Sequence, residues 1–141
     1  MIDLSIIILS YNTRELLREC ILSIKKNQPK NLSVEIIVVD NASTDNSADM
    51  VRKEFKELTL IANKENIGYA SGNNSGVKKA QGRYLLFLNA DTVVYPRTLE
   101  VMVKFMDEHK DEGAATCRVE LPNSQLDDSC HRGFPTPWRS F

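Results

Sequence analysis

The sequence has almost no net charge: 18 basic and 19 acidic residues leave −1. It therefore offers no broad attraction to nucleic acid or to an anionic membrane. No apolar run is long enough to span a bilayer. The first residues, Met1-Ile2-Asp3-Leu4, lead straight into a strand pattern rather than a basic region and a signal-type apolar stretch. Only three cysteines occur, Cys20, Cys117 and Cys130, and they have no paired spacing. Cys130-His131 lacks the separation that CxxC or HxxxH metal sites use. The three read as reduced structural thiols of a cytosolic protein. There is no Gly-x-Gly-x-x-Gly after the first strand pattern and no Gly-Lys-Ser/Thr loop, so neither the dinucleotide fingerprint nor the common phosphate loop is present.

What is there fits one globular unit. A length of 141 residues can bury a sizeable core, and 42% hydrophobic with 26% charged residues is ordinary for such a domain. Leu4 to Leu9 is a nearly continuous apolar run, the pattern of a strand covered on both faces. From Arg14 a helix is predicted, with Leu17, Cys20, Ile21 and Ile24 on one stripe and Pro29 beyond its end. Strands are predicted at 34–39, 58–62 and 84–88, the last as a buried strand, and 113–117 reads as a fifth. A helix is expected from Asn46 or Ser47, with Asn46 and Asp49 as cap partners and Met50, Val51 and Phe55 inward. Another is expected up to Gly82 as its C-terminal cap, and a last one with Pro96 in its first turn and Leu99, Met102, Val103 and Met106 on one face. Beyond Val119 the periodicity fails. This alternation predicts a mostly parallel α/β sheet with helices on both faces.

Three strand ends carry polar groups: Ser10-Tyr11-Asn12, Asp40-Asn41 and Asn89-Ala90-Asp91. In a parallel sheet these ends share one edge, the carboxyl edge where α/β proteins bind ligands. Singly, each reads as a turn or a helix cap; together they predict a ligand site. The run from Asn66 to Gly76 adds three glycines and three asparagines, which permit close backbone approach and neutral hydrogen bonds. A nucleotide here would need its pyrophosphate neutralised by another route, and a divalent cation on Asp91 supplies one.

The motifs Ile7-Ile8-Leu9-Ser10-Tyr11-Asn12, Val38-Val39-Asp40-Asn41-Ala42-Ser43-Thr44-Asp45, Asn66-Ile67-Gly68-Tyr69-Ala70-Ser71-Gly72-Asn73-Asn74 and Phe87-Leu88-Asn89-Ala90-Asp91-Thr92 resemble, in order and spacing, the family 2 glycosyltransferases of GT-A fold. The resemblance covers most of residues 4–118. It implies a nucleotide-sugar donor site: Tyr11 and Asn12 near the base or ribose beside Ser10, Asp40 and Asn41 at the base, and Asn66, Gly68, Gly72 and Asn73 along the ribose and diphosphate. Asn89-Ala90-Asp91 would be this chain's Asp-x-Asp motif, with Asp91 as the ligand for Mg2+ or Mn2+ and Asn89 in place of the first aspartate. That replacement, and the segment Arg132-Gly133-Phe134-Pro135-Thr136, resemble the rhamnosyltransferase branch.

The expectation is thus a donor-binding GT-A core over 1–118 and an irregular tail over 119–141 that leads into an acceptor-binding region not present in the chain. Glu120, Asp127 and Asp128 are not assigned as catalytic, because the family's general base is expected beyond Phe141. The implied function is inverting transfer from a dTDP- or UDP-sugar to a saccharide or lipid-linked acceptor in cell-surface polysaccharide synthesis. It is expected in the cytoplasm or at the inner face of its membrane, with peripheral membrane association of the full-length protein and a homodimer as further expectations. The alternative is a non-catalytic nucleotide-sugar-binding or assembly module of the same fold.

Overall fold

The computed structural model describes residues 1–127. Eight elements follow in order: β1 (Leu4–Ser10), α1 (Arg14–Asn27), β2 (Val34–Asp40), α2 (Ser47–Glu54), β3 (Thr59–Ala62), α3 (Tyr69–Val77), β4 (Tyr84–Asn89) and α4 (Thr98–Glu108). The strands form one parallel sheet in the order β3-β2-β1-β4. Register pairs Ser10 with Asp40 on one side of β1 and Leu9 with Asn89 on the other.

The apolar run of β1 makes it central. Ile6, Ile7 and Ile8 are all fully buried, each contributing about 1.5–3 kcal/mol of transfer free energy. Ile6 and Ile8, with Ile36 and Val38, face Leu17, Cys20, Ile21 and Ile24 of α1, Met50 and Val51 of α2, Phe55 just after it, and Leu99 and Val103 of α4. Ile7, Ile37 and Val39 face the other way, toward Val77 at the end of α3 and Ala80 just beyond it. The chain steps from β1 out to β3 with helices on one face, then returns across the sheet to β4 through α3 on the opposite face. Right-handed crossovers require that change of face when the direction reverses. The reversal falls between β1 and β4.

Helix α3 lies unusually close to the sheet. A Cβ on Gly72 would stand 2.5 Å from Leu9 Cδ1, and one on Gly76 would stand 2.5 Å from Ile7 Cγ2. Glycine four residues apart puts both bare Cα atoms on one face, so the backbone itself is the packing surface. The glycine-rich run therefore serves close approach, at these two positions to the protein's own strands.

Several local expectations are corrected. Residues 113–117 form no strand; among the described residues the only pairing after α4 is an antiparallel bridge between Glu120 and Leu126. Among the described residues β4 is an edge strand and not a buried one: Leu85 and Phe87 are 41% and 47% exposed. Asn46 precedes α2 in a left-handed conformation without a side-chain cap bond, and the capping oxygen comes from Asp45 instead. α3 stops at Val77, five residues before Gly82, and Pro96 lies just before α4. The expectations on residues 128–141, including Asp128, Arg132, Phe134 and Trp138, lie outside the described residues.

Candidate functional site

Above the reversal point lies a cleft of about 210 Å³ lined by Leu9, Tyr11, Thr13, Tyr69, Asn89, Ala90 and Asp91. β1 delivers Tyr11 and Thr13, β4 delivers Asn89 to Asp91, and the start of α3 delivers Tyr69. Tyr11 and Tyr69 are 51% and 62% exposed, leaving two aromatic faces open to a flat ligand. Asp91 is exposed, and it is the one formally charged group among the lining residues.

The loop after β4 is held from below. Asn89's carbonyl accepts the Thr92 backbone N–H at 3.2 Å and the Cys20 thiol at 3.8 Å. Burial, with a smaller push from the Asp91 charge, raises the Cys20 pKa to about 12 despite a backbone hydrogen bond from Thr92. The thiol is a packing group under the loop.

The loops after β1 and β2 are laced together. Asn12, with φ 53, donates its N–H to Ser43 Oγ at 2.9 Å. Its amide oxygen accepts from the Thr44 backbone N–H at 2.8 Å and from the Thr44 hydroxyl at 3.3 Å. Ser10 is buried, with its hydroxyl 3.0 Å from that of Thr13. Asp40 is 2% exposed; its Oδ2 accepts the Ser43 N–H at 3.0 Å, while Oδ1 is buried with no donor in reach. An orphaned buried acceptor costs free energy that a ligand N–H would recover.

Asn41 and Asn66 form a cluster on the α3 side. Asn41 donates to Asn66 Oδ1 and to the Gly68 carbonyl and accepts from Asn63, and Asn66 Oδ1 also accepts the Gly68 N–H. Asn73 is buried, with its amide returned to the Tyr69 carbonyl at 3.0 Å. The predicted residues therefore divide. Tyr11, Asn89 and Asp91 line the cleft. Ser10, Asn12, Asp40, Asn41, Asn66, Gly68, Gly72 and Asn73 build the loops and helix beside it. Thr13 and Tyr69 belong to the lining although sequence reasoning did not single them out; their position directly beside the quoted motifs was the available signal.

The residues at the cleft fit a divalent cation shared with a ligand rather than one caged by protein. Among the described residues no group of three or more His, Cys, Asp or Glu side chains could hold a metal. Asp91 and the Asn89 amide offer hard oxygen donors of the kind Mg2+ and Mn2+ take together with substrate phosphates. A diphosphate would otherwise meet Asp91 with no cationic side chain in the lining.

Comparison with known proteins agrees with the fold. The family described as Glycosyl transferase family 2 matches residues 5–133. The minor teichoic acid biosynthesis protein GgaB of Bacillus subtilis is 36% identical over 114 residues, 78% of this chain and 13% of GgaB. The poly(ribitol-phosphate) beta-N-acetylglucosaminyltransferase TarS of Staphylococcus aureus is 30% identical over 112 residues, 77% of this chain and 20% of TarS. The structure of TarS 1-349 with UDP-GlcNAc superposes with TM-score 0.67 at 26% identity, covering 87% of this chain and 42% of that one. The Pyrobaculum calidifontis mannosyltransferase PcManGT, with GDP-Man and Mn2+, gives TM-score 0.70 at 26% identity over 86% of this chain and 36% of that one. The chain thus spans less than a quarter of the length of the two curated relatives named. These relatives are teichoic-acid and other glycosyltransferases, not specifically rhamnosyltransferases, so they support the family and not the rhamnosyltransferase branch.

Proposed function

Since the chain belongs to glycosyl transferase family 2, we propose that it binds a nucleoside-diphosphate sugar along the carboxyl edge of its sheet, as the donor part of a transferase in cell-surface polysaccharide synthesis. The observation that carries this is the pairing of two carboxylates on that edge. The unpartnered Asp40 oxygen stands at the end of β2 and the exposed Asp91 just past the end of β4, with β1 between them. Two strand spacings, about 10 Å, separate the two strands, room for a base at one and a diphosphate at the other.

Asp40 supplies an acceptor, which suits the ring N–H on the pairing edge of uracil, thymine or guanine. The donor proposed is a UDP- or dTDP-sugar. Tyr11 and Tyr69 offer stacking faces, and Asp91 with Asn89 would hold Mg2+ or Mn2+. Bound there, the cation would offset charge on the leaving diphosphate. Inversion follows if an acceptor hydroxyl attacks the anomeric carbon from the face opposite that leaving group. The acceptor is proposed to be a saccharide or lipid-linked saccharide, met at the inner face of the cytoplasmic membrane.

Calorimetry with UDP, dTDP, GDP, ADP and CDP, with and without Mn2+ or Mg2+, tests the reading. Binding is expected for the first three, with UDP and dTDP strongest, and is expected to tighten with metal. No binding by any of the three would sink it. Turnover by the 141-residue chain, including slow donor hydrolysis, would exclude a non-catalytic binding module of the same fold.

A further inference from the structure

Resting on the donor-site reading, we infer that Asn41 is a positioning residue: it fixes the turn at residues 66–68 and the first turn of α3 against the cleft, without touching the donor itself.

Asn41 is 2% exposed. Its backbone N–H extends the β1–β2 ladder by donating to the Ser10 carbonyl at 2.9 Å, so its Cα is anchored to the centre of the sheet. Its carboxamide is used on both sides. Nδ2 donates to Asn66 Oδ1 and to the Gly68 carbonyl, each at 3.2 Å, which occupies both of its hydrogens. Oδ1 accepts from Asn63 Nδ2 at 2.8 Å. No donor remains for a phosphate or a sugar hydroxyl.

The groups it holds lead directly into the cleft. Asn66 Oδ1 also accepts the Gly68 N–H at 3.0 Å, and the Gly68 carbonyl accepts the Gly72 N–H at 3.0 Å as the opening bond of α3. Gly68 sits at φ +81, a conformation that suits glycine, so the turn has a backbone shape the amide can lock. A Cβ on Gly72 would come within 3.2 and 3.3 Å of the Asn41 amide atoms, so α3 rests on that amide. The residue after Gly68 is Tyr69, which faces Tyr11 and Asp91 across the cleft. The position of Tyr69 is therefore set from Asn41 through Gly68.

The chemistry requires a carboxamide. Aspartate would keep the acceptor for Asn63 but would place a carboxylate oxygen against two other acceptors, Asn66 Oδ1 and the Gly68 carbonyl. Asn41→Asp is thus a near-isosteric probe.

The experiment compares wild type, Asn41→Asp, Asn66→Ala and the double variant. It reads thermal stability, the Kd for UDP with Mn2+ by calorimetry, and amide hydrogen exchange. Asn41→Asp is expected to weaken UDP binding by the folded protein about tenfold, the worth of one lost anchor. Asn66→Ala is expected to show a comparable loss, and the double variant to bind within about twofold of the weaker single, because both act through one turn. Exchange at the Gly68 and Gly72 amides is expected to accelerate in Asn41→Asp while β1 amides stay protected. Additive losses would mark a direct donor contact and overturn the inference. So would a folded Asn41→Asp that binds within about twofold of wild type, since a purely structural role moves stability and not the Kd of the folded protein. If Asn41→Asp does not fold, Asn66→Ala and Asn63→Ala carry the test, and unchanged exchange at Gly68 and Gly72 in both overturns it. If wild type binds none of UDP, dTDP or GDP, the donor reading falls. The exchange pattern still decides whether Asn41 sets the turn.

Discussion

Arg14 and Asp45, 31 positions apart, are joined by a 2.9 Å hydrogen bond from the Arg14 backbone N–H to Asp45 Oδ2. The other carboxylate oxygen, Oδ1, accepts the Ser47 backbone N–H at 3.0 Å and the Ser47 hydroxyl at 2.5 Å. Arg14 and Ser47 open α1 and α2. One side chain therefore caps two helices and ties the loop after β1 to the loop after β2.

Asp45→Ala is expected to lower unfolding free energy by about 1–2 kcal/mol, the loss of a shared cap, read as a lower urea midpoint at unchanged slope. Burial alone would raise the Asp45 pKa, but hydrogen bonds from the Ser47 hydroxyl and the Arg14 and Ser47 backbones outweigh it, and the net shift is downward. A folded pKa below the unfolded one means the contribution is fully present above the unfolded value and is lost as pH falls through the folded one. The gap in stability between wild type and Asp45→Ala is therefore expected to hold at neutral pH and to close below about pH 4.

Gly76→Ala sets helix propensity against space. Alanine is the better helix former by about 1 kcal/mol, but its Cβ would meet Ile7 Cγ2 at 2.5 Å and Val39 Cγ2 at 3.3 Å, both in the packed core. Overpacking should win, with a net loss of about 1–3 kcal/mol. Ile7→Ala removes the clashing Cγ2, so its own cost should be smaller in the Gly76→Ala background than in wild type. A Gly76→Ala protein as stable as wild type in chemical denaturation would refute the close packing of α3.

Asn89 and Asp91 make opposite predictions about metal. Asp91→Ala is expected to abolish the difference between nucleotide binding with and without Mn2+ while leaving the thermal midpoint close to wild type, since Asp91 is exposed. Asn89→Asp restores a second carboxylate and is expected to tighten Mn2+ dependence by about tenfold, because site charge sets affinity for hard cations. Titration of Mn2+ at fixed UDP reads both. Metal-dependent binding that survives in Asp91→Ala would remove Asp91 from the ligand role.

Cys20, with its pKa raised to about 12 by burial and the nearby Asp91 charge, is expected to resist alkylation at pH 8, where it holds almost no thiolate. Cys117, only half-buried, is expected to react before Cys20. Peptide mass spectrometry after timed iodoacetamide treatment separates them, and labelling of Cys20 as fast as Cys117 in the native protein would contradict its burial under the Asn89 loop.

Most of the sheet could be read from residue order. The continuous apolar runs of β1 and β2 have no other stable placement than a covered parallel sheet, and the stripe of Leu17, Cys20, Ile21 and Ile24 is fully buried as its spacing requires. The three polar strand ends do share one edge, as parallel topology dictates. What could not be read was the division of labour among polar residues. Asn41, Asn66 and Asn73 have the same chemistry whether they hold a ligand or one another, and only the fold shows their amides bonded to each other and to backbone. Asp45 looked like one more turn residue because its partner, Arg14, is 31 positions away. β4 was misjudged for a related reason: an apolar run signals burial, yet neighbours on both sides are a property of the sheet and not of the run. At 113–117, short apolar content had no strand to pair with among the described residues.

The edge position of β4 makes the cleft mechanically lopsided. Its β1 wall belongs to a strand hydrogen-bonded on both sides and braced by the Asn12–Thr44 and Arg14–Asp45 links. Among the described residues its β4 wall hangs from a strand bonded on one side only, with Leu85 and Phe87 exposed. Local opening runs along the less supported element, so the end proposed to grip the diphosphate is the compliant jaw and the end proposed to read the base is the fixed one. A site built this way would select its nucleotide on rigid ground and leave the leaving-group side free to yield when the product departs.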